Sequence, residues 1–280
     1  MESGARLDYL VAEARRHDPD RYLCALLAPA RAREPILALL LLDHELARVP
    51  DLVSQPIAGL IRYQWWRDAV AEAAEGSPRD HPVVEALGAA LASGALGAGE
   101  LTDLIDARER ELDALAPEDL PALETYLDRT AGAVQALTLR SLGGGTGSQA
   151  AAARLAGRAF GMVRVVLAVH AGAARRFLPD ETLREAGVEA ASTTRARGTE
   201  ALARAVERLV TRAEATVAEA RDLAGRPPRT LMAAFLPARL AAAYAGRIRR
   251  AGFDPFAPAA LERPPLAVLD LLRAALTRRF

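Results

Sequence analysis

Proline and glycine cut this chain into stretches of helical length, and that punctuation constrains the fold more than any other feature. Pro56 opens "IAGLIRYQWWRDAVAEAAEG", which Gly76 ends. Pro117 precedes "EDLPALETYLDRTAGAVQALTLRSLG". Pro227-Pro228 opens a stretch reaching about Arg250, with Gly252 just past it, and Pro264-Pro265 opens "LAVLDLLRAALTRR". Proline suits the first helical position, where its missing N–H is not needed, and glycine suits the position after the last. Asp20 is positioned to cap a helix starting "RYLCALLAP". From about Thr199 to Leu223, the spacing of Leu202, Val206, Leu209, Ala213 and Val217 predicts one long helix with a single apolar face.

The residues between these breaks agree. Ala and Leu dominate, and alternating β-branched runs are almost absent, which favours helix over strand. The expectation is an all-α fold of roughly ten or more helices with short connections and no sheet. No repeat of fixed period and no long Pro/Gly/Ser linker divides the chain, so residues 1–280 read as a single domain. "SLGGGTGSQ" is short enough for a helix–helix turn. It is no dinucleotide fingerprint, because no strand precedes it.

Several function classes drop out. The 36 basic and 36 acidic residues cancel, leaving no global field for nucleic acid. Every basic residue among the 36 is Arg, so neither a Schiff-base lysine nor a Walker-type phosphate loop exists. Cys24 stands alone, which excludes an internal disulfide and a cysteine zinc site and fits a reducing cytoplasm. The run Ile36 to Leu42 is too short to span a membrane, and Phe160 to Ala174 contains Arg164 and His170. The first residues lack a signal-peptide core, so the mature chain is expected to begin near Met1, inside the cell.

Most chemical candidates also have an ordinary structural reading. His17, His44, His81 and His170 show no paired ligand spacing. In Trp65-Trp66, one ring can fill the core while the other packs at a helix edge. "DARERELD", Asp106 to Asp113, reads as a solvated charged face with internal ion pairs. The segment from Arg129 to Pro179 is more distinctive. It carries Arg129, Arg140, Arg154, Arg158, Arg164, Arg175 and Arg176 and contains no Asp or Glu.

Taken in order, several stretches resemble the squalene/phytoene synthase family. They are "DPDRYLCALLAPARAREPILALLLLDHELARV", "RYQWWRDAV", "YLDRTAGAV" (Tyr126 to Val134), and "LAGRAFGMVRVVLAVHAGAARRFLP" followed by "DETLREAGV". The resemblance is strongest over residues 18–280. It implies an isoprenoid-synthase-type bundle of helices around a central apolar cavity. Catalytic members join two prenyl diphosphates head to head and hold Mg²⁺ with two aspartate-rich motifs on facing helices. Mg²⁺ requires oxygen ligands, and a leaving diphosphate requires its charge neutralised.

Aligned to the first motif, Asp-Asp-x-x-Asp, this chain reads Ala47-Arg48-Val49-Pro50-Asp51, and the acid-free segment covers the second. Pro50 also disfavours a regular helical turn, so Asp43 and Asp51 need not share a face. Asp43, Glu45 and Asp51 therefore read as remnants of a metal site more than as ligands. The resemblance points to a branch associated with respiratory complex I assembly, which the tail from "LPARLAAAYAGRIRR" onward fits. The expectation is a non-catalytic binding or assembly-type protein without a cofactor. The alternative is a Mg²⁺-dependent prenyltransferase. His44, Glu45, Asp51, Arg67, Tyr126, Arg129, Arg164, His170 and Arg175 form the candidate pocket or anion-binding set. The expected partners are a lipid or isoprenoid ligand and complex I assembly intermediates. The expected location is cytoplasmic, with peripheral contact to the inner face of the membrane through a basic cavity mouth.

Overall fold

A computed structural model describes residues 3–113, 116–144, 147–171, 177–188 and 199–280. Among them there is no strand, and the elements are helices joined by short turns. The first half comprises α1 (Ser3–His17), α2 (Pro19–Leu26), α3 (Ala30–Ala47), α4 (Val49–Leu52), α5 (Pro56–Ala74), α6 (Pro82–Ala92) and α7 (Ala98–Glu109). A 3-10 turn (Arg110–Asp113) leads to α8 (Leu120–Leu127), a π turn (Asp128–Gly132), α9 (Ala133–Ser141) and α10 (Ser148–Ala168). Then come α11 (Asp180–Ala186), α12 (Glu200–Ala224), a 3-10 turn (Arg229–Ala234), α13 (Leu236–Arg250), α14 (Pro258–Leu261) and α15 (Ala267–Thr277).

Helix α3 is central. It packs on α1, α6, α7 and α9, and Ile36 through Leu42 are all buried. Neighbours on every side explain why that run is apolar all round without spanning a membrane. On the other side α10 lies against α9, α12 and α13. Buried side chains from α1 through α15 join one hydrophobic cluster. Among the described residues, no helix is long and apolar enough to cross a membrane.

Where the structure departs from the sequence reading, the causes are local. Asp18, not Asp20, caps α2; its carboxylate accepts from the Arg21 backbone N–H at 3.1 Å. Pro19 takes the first helical position, which moves the start back two residues. Asp20 instead turns inward and accepts from the Tyr244 hydroxyl at 2.8 Å and Arg263 Nε at 2.7 Å, tying α2 to the far end of the chain. The stretch after Pro228 starts as the 3-10 turn, and α13 begins only at Leu236, because Pro237 must lie in a first turn. The long helix near Thr199 is as expected, with the Thr199 hydroxyl accepting from Leu202 N–H. Trp66 is buried while Trp65 meets it edge-on at the surface.

Candidate functional site

Where α2, α3, α7, α8 and α10 converge they leave a cavity of about 200 Å³. One wall comes from the start of α2, the last turns of α3 and the end of α7. It presents Asp18, Arg21, Asp43, His44, Ala47 and Arg108. The opposite wall is α10, presenting Phe160, Gly161, Arg164, Val165 and Ala168. Tyr126, Leu127, Thr130 and Phe177 close the sides, with the Tyr126 and Phe177 rings stacked at 6.0 Å.

The α3 wall is a continuous ion-pair network. Asp43 is almost fully buried and central. Its Oδ1 accepts from Arg108 Nη2 at 2.6 Å and Nε at 3.0 Å, and its Oδ2 accepts from Arg21 Nη2 at 2.8 Å. Arg21 Nε also donates to Asp18. Arg108 Nη1 donates to Glu111 at 2.8 Å and to the Tyr126 oxygen at 2.9 Å, and the Tyr126 hydroxyl donates to Glu111 at 2.6 Å. Burial alone would raise the Asp43 carboxyl, but the guanidiniums of Arg108 and Arg21 outweigh it and hold the pKa at about 2. Burial would lower both arginines, yet their carboxylate partners raise them. Burial, countered only in part by Arg108, pushes the Tyr126 hydroxyl well above its ordinary value. Asp43, Arg21, Arg108 and Tyr126 are therefore fixed in charge across the physiological range.

"DARERELD" is thus not simply a solvated face. Asp106 and Glu109 do face outward, each 2.7 Å from Arg67 Nη2 at the seam between α5 and α7. Arg108 and Glu111 point inward, because the 3-10 turn after Glu109 tightens the chain and turns Glu111 beneath the α7 end.

At the rim, His44 stacks on His17 with centroids 4.2 Å apart. Burial, then the neighbouring His17, lowers the His44 pKa. Opposite, Arg164 lies 6.0 Å from the Phe160 ring centre and has no acidic partner among the described residues. His44, Tyr126 and Arg164 are the sequence candidates that the cavity gathers. Glu45 lies on the outer face of α3, 3.2 Å from Arg48, and borders a separate groove with Trp65, Trp66 and His81. Asp51 is on the exposed turn α4. Arg129 borders a distant groove with Glu100 and Asp103. His170 is exposed, with Nδ1 2.9 Å from the Leu167 carbonyl. Arg175 lies outside the described residues.

Sequence reasoning did not place Asp18, Arg21, Arg108 and Glu111 in the site. The Asp-Pro preceding Arg21 was a usable signal, since it orients a capped helix start. Nothing distinguished Arg108 from its neighbouring arginines, because a charged run shows no period of its own. Among the described residues, no group of three or more His, Cys, Asp or Glu is arranged to hold a metal ion.

Comparison with known proteins fits this architecture. The family model for squalene/phytoene synthase matches residues 14–273. The rat NADH dehydrogenase (ubiquinone) complex I, assembly factor 6 is 31% identical over 274 residues, covering 97% of this chain and 82% of that protein. The human protein of the same name is 30% identical, covering 94% of this chain and 80% of its own length. A presqualene diphosphate synthase from Rhodopseudomonas palustris is 29% identical, but over 61% of this chain and 62% of its own. Among solved structures, a dehydrosqualene synthase in complex with ligand superimposes with a TM-score of 0.80 at 16% identity, covering 98% of this chain and 96% of that one. The squalene synthase HpnC from Alicyclobacillus acidocaldarius gives 0.77 at 20% identity, covering 90% and 96%.

Proposed function

The chain belongs to the squalene/phytoene synthase family, and on that premise we propose that it is a non-catalytic member acting as a respiratory complex I assembly-type factor. One observation carries the reading: the carboxylates that reach the cavity are already neutralised by arginine. Asp43 is held by Arg21 and Arg108 together, and Asp18 by Arg21. Ala47 occupies the next turn of α3, and Val165 and Ala168 face it from α10. Mg²⁺ demands near-octahedral oxygen ligands, and these residues do not fit it. Releasing Asp43 to a metal would take from two buried guanidiniums the carboxylate they share, leaving Arg21 only Asp18 and Arg108 only Glu111 as acidic partners. The names of the relatives aligned over nearly the whole chain support the same reading.

The cavity, about 200 Å³, is smaller than the roughly 300–1,000 Å³ usual for small-molecule pockets. It suits a small anionic group at Arg164 with a short apolar portion against Phe160, Val165 and Phe177. A lipid or isoprenoid head fits that description; two prenyl chains side by side do not. The match to the presqualene diphosphate synthase supports the second reading, a prenyltransferase.

Two measurements separate them. Purified protein with farnesyl or geranylgeranyl diphosphate and Mg²⁺ is expected to give no presqualene diphosphate, squalene or phytoene. Without compensation of the leaving diphosphate, several kcal/mol of transition-state stabilisation are missing, or about three orders of magnitude or more in rate. Deleting the gene in its own organism is expected to reduce assembled complex I, with tagged protein recovering its subunits. Turnover at an ordinary enzymatic rate, with complex I unaffected by the deletion, would reverse the assignment.

A further inference from the structure

Helix α15 is apolar on two opposite faces. Its inner face, Ala267, Leu271 and Ala274, is buried against α13 and the Arg229–Ala234 turn. Leu269, Leu272 and Leu276, at spacings of three and four, form a ridge on the other side, extended by Leu266 and Val268. These five side chains are between 40% and 63% exposed. A contiguous exposed apolar ridge of this kind is ordinarily covered, by a partner or by lipid.

The surroundings of the ridge indicate which. Beside it Arg226, Arg239, Arg273 and Arg279 border a pocket of about 480 Å³ whose one acidic side chain is Asp270. Arg239 uses that acid, at 3.1 Å. Arg226, Arg273 and Arg279 have no acidic side-chain partner among the described residues. With Asp270 held by Arg239 and the Phe280 terminal oxygen by Arg221, these three arginines are a local excess of positive charge in a chain whose formal charge is zero. A second exposed ridge, Ile57, Ile61 and Trp65 on α5, differs: Arg62, Glu45 and Asp68 around it mix both signs. Mixed charge suits a protein surface. A leucine ridge edged by arginines in excess over Asp270 matches an anionic bilayer, where apolar side chains enter the acyl boundary and guanidiniums take phosphate oxygens.

We propose that the α15 ridge and its arginine-lined pocket dock the protein on an anionic lipid bilayer. The contact lies at the C-terminal helix, not at the cavity mouth that sequence reasoning favoured. It holds whether or not the cavity is catalytic.

The test is co-sedimentation of the whole purified chain with phosphatidylcholine vesicles and with vesicles containing phosphatidylglycerol. Binding is expected only to the anionic vesicles and is expected to weaken with salt. The variant Arg226→Gln/Arg273→Gln/Arg279→Gln should bind about a hundredfold more weakly, from three cations lost near the surface. Leu269→Gln/Leu276→Gln should lose binding as well. Both alter exposed side chains, and an unchanged Tm establishes that they fold. Arg62→Gln, beside the α5 ridge, should bind like wild type; if it alone loses binding, the contact is at α5 and the proposal fails. Absence of vesicle binding, or equal binding by both α15 variants and wild type, also overturns it. So does concentration-dependent dimerisation abolished by the leucine variant, which would assign the ridge to a second copy.

Discussion

On the α3 side of the cavity, Asp18 and Asp43 are each matched to guanidiniums, whereas α10 presents no acid and approaches its neighbours through glycine. Toward the cavity the first wall is held by charge and the second by shape, the α10 ion pairs of Arg158 with Glu124, Asp128 and Glu219 lying outside the cavity lining. At Gly157 an added methyl would overlap the Ala131 carbonyl, and at Gly161 it would come within 2.8 Å of Leu127. The two walls therefore have different vulnerabilities, although they enclose the same space. A wall held by charge is costly to unbalance and sensitive to acid. A wall held by close approach is indifferent to pH and intolerant of volume.

The sharpest way to break this comparison is at Asp43. Asp43→Ala takes from Arg21 and Arg108 the carboxylate they share, leaving each a single acidic partner, and is expected to cost about 3 kcal/mol, read from urea denaturation midpoints. Replacing Asp18, Arg21, Asp43, Arg108 and Glu111 together with apolar residues of similar volume should cost much less, because no charge of the network is then left alone. If the single and fivefold variants lose the same stability, charge balance is not what holds that wall.

Acid tests the same wall without mutation. The Asp43 pKa is held at about 2 in the folded protein, below its value in the unfolded chain. The stability it supplies is therefore fully present above about pH 4 and is lost as pH falls towards 2, by about 2 kcal/mol for this one group. A stability profile that stays flat between pH 4 and 2, after allowance for the other carboxylates through Asp43→Asn, would contradict the network.

The α10 wall should respond in the opposite way. Gly157→Ala is expected to destabilise by about 1–3 kcal/mol at every pH, outweighing the gain in helix propensity. Gly246→Ala, in α13 with open space around it, should stabilise by about 0.5–1 kcal/mol. Equal effects at the two glycines would mean that close approach is not what shapes α10.

The same contrast explains what the sequence disclosed. Helix positions were legible because Pro56, Gly76, Thr199 and Gly252 act locally, through missing donors, caps and backbone freedom. The burial of Ile36–Leu42 follows from a run with no polar face. The absence of acid on α10 could be read directly, since composition suffices for a negative. The arginine network could not, because Asp43 and Arg108 are 65 residues apart in sequence and meet only in the fold. Arg108 and Arg110 sit in one charged run; which of them turns inward depends on the turn after Glu109, and no periodicity reports that.

Arg164 marks the point where the walls differ least in stability and most in function. It faces the cavity without an acidic partner among the described residues and is largely exposed, so Arg164→Ala should change stability by no more than about 0.5 kcal/mol. Arg108→Ala, on the opposite wall, should cost several kcal/mol, because it strips Asp43 of a partner and leaves Glu111 exposed to the Tyr126 oxygen alone. For anion binding the order reverses. Arg108 is saturated by Asp43, Glu111 and Tyr126, whereas the Arg164 fork is available to phosphate. Losing a charge-assisted contact of that kind is worth about 1.5–3 kcal/mol, or roughly tenfold to a hundredfold in Kd. Titration calorimetry with inorganic phosphate on wild type and Arg164→Ala measures it directly. If the variant binds phosphate as tightly as wild type, the anion site lies elsewhere, and the α10 wall is no more than packing.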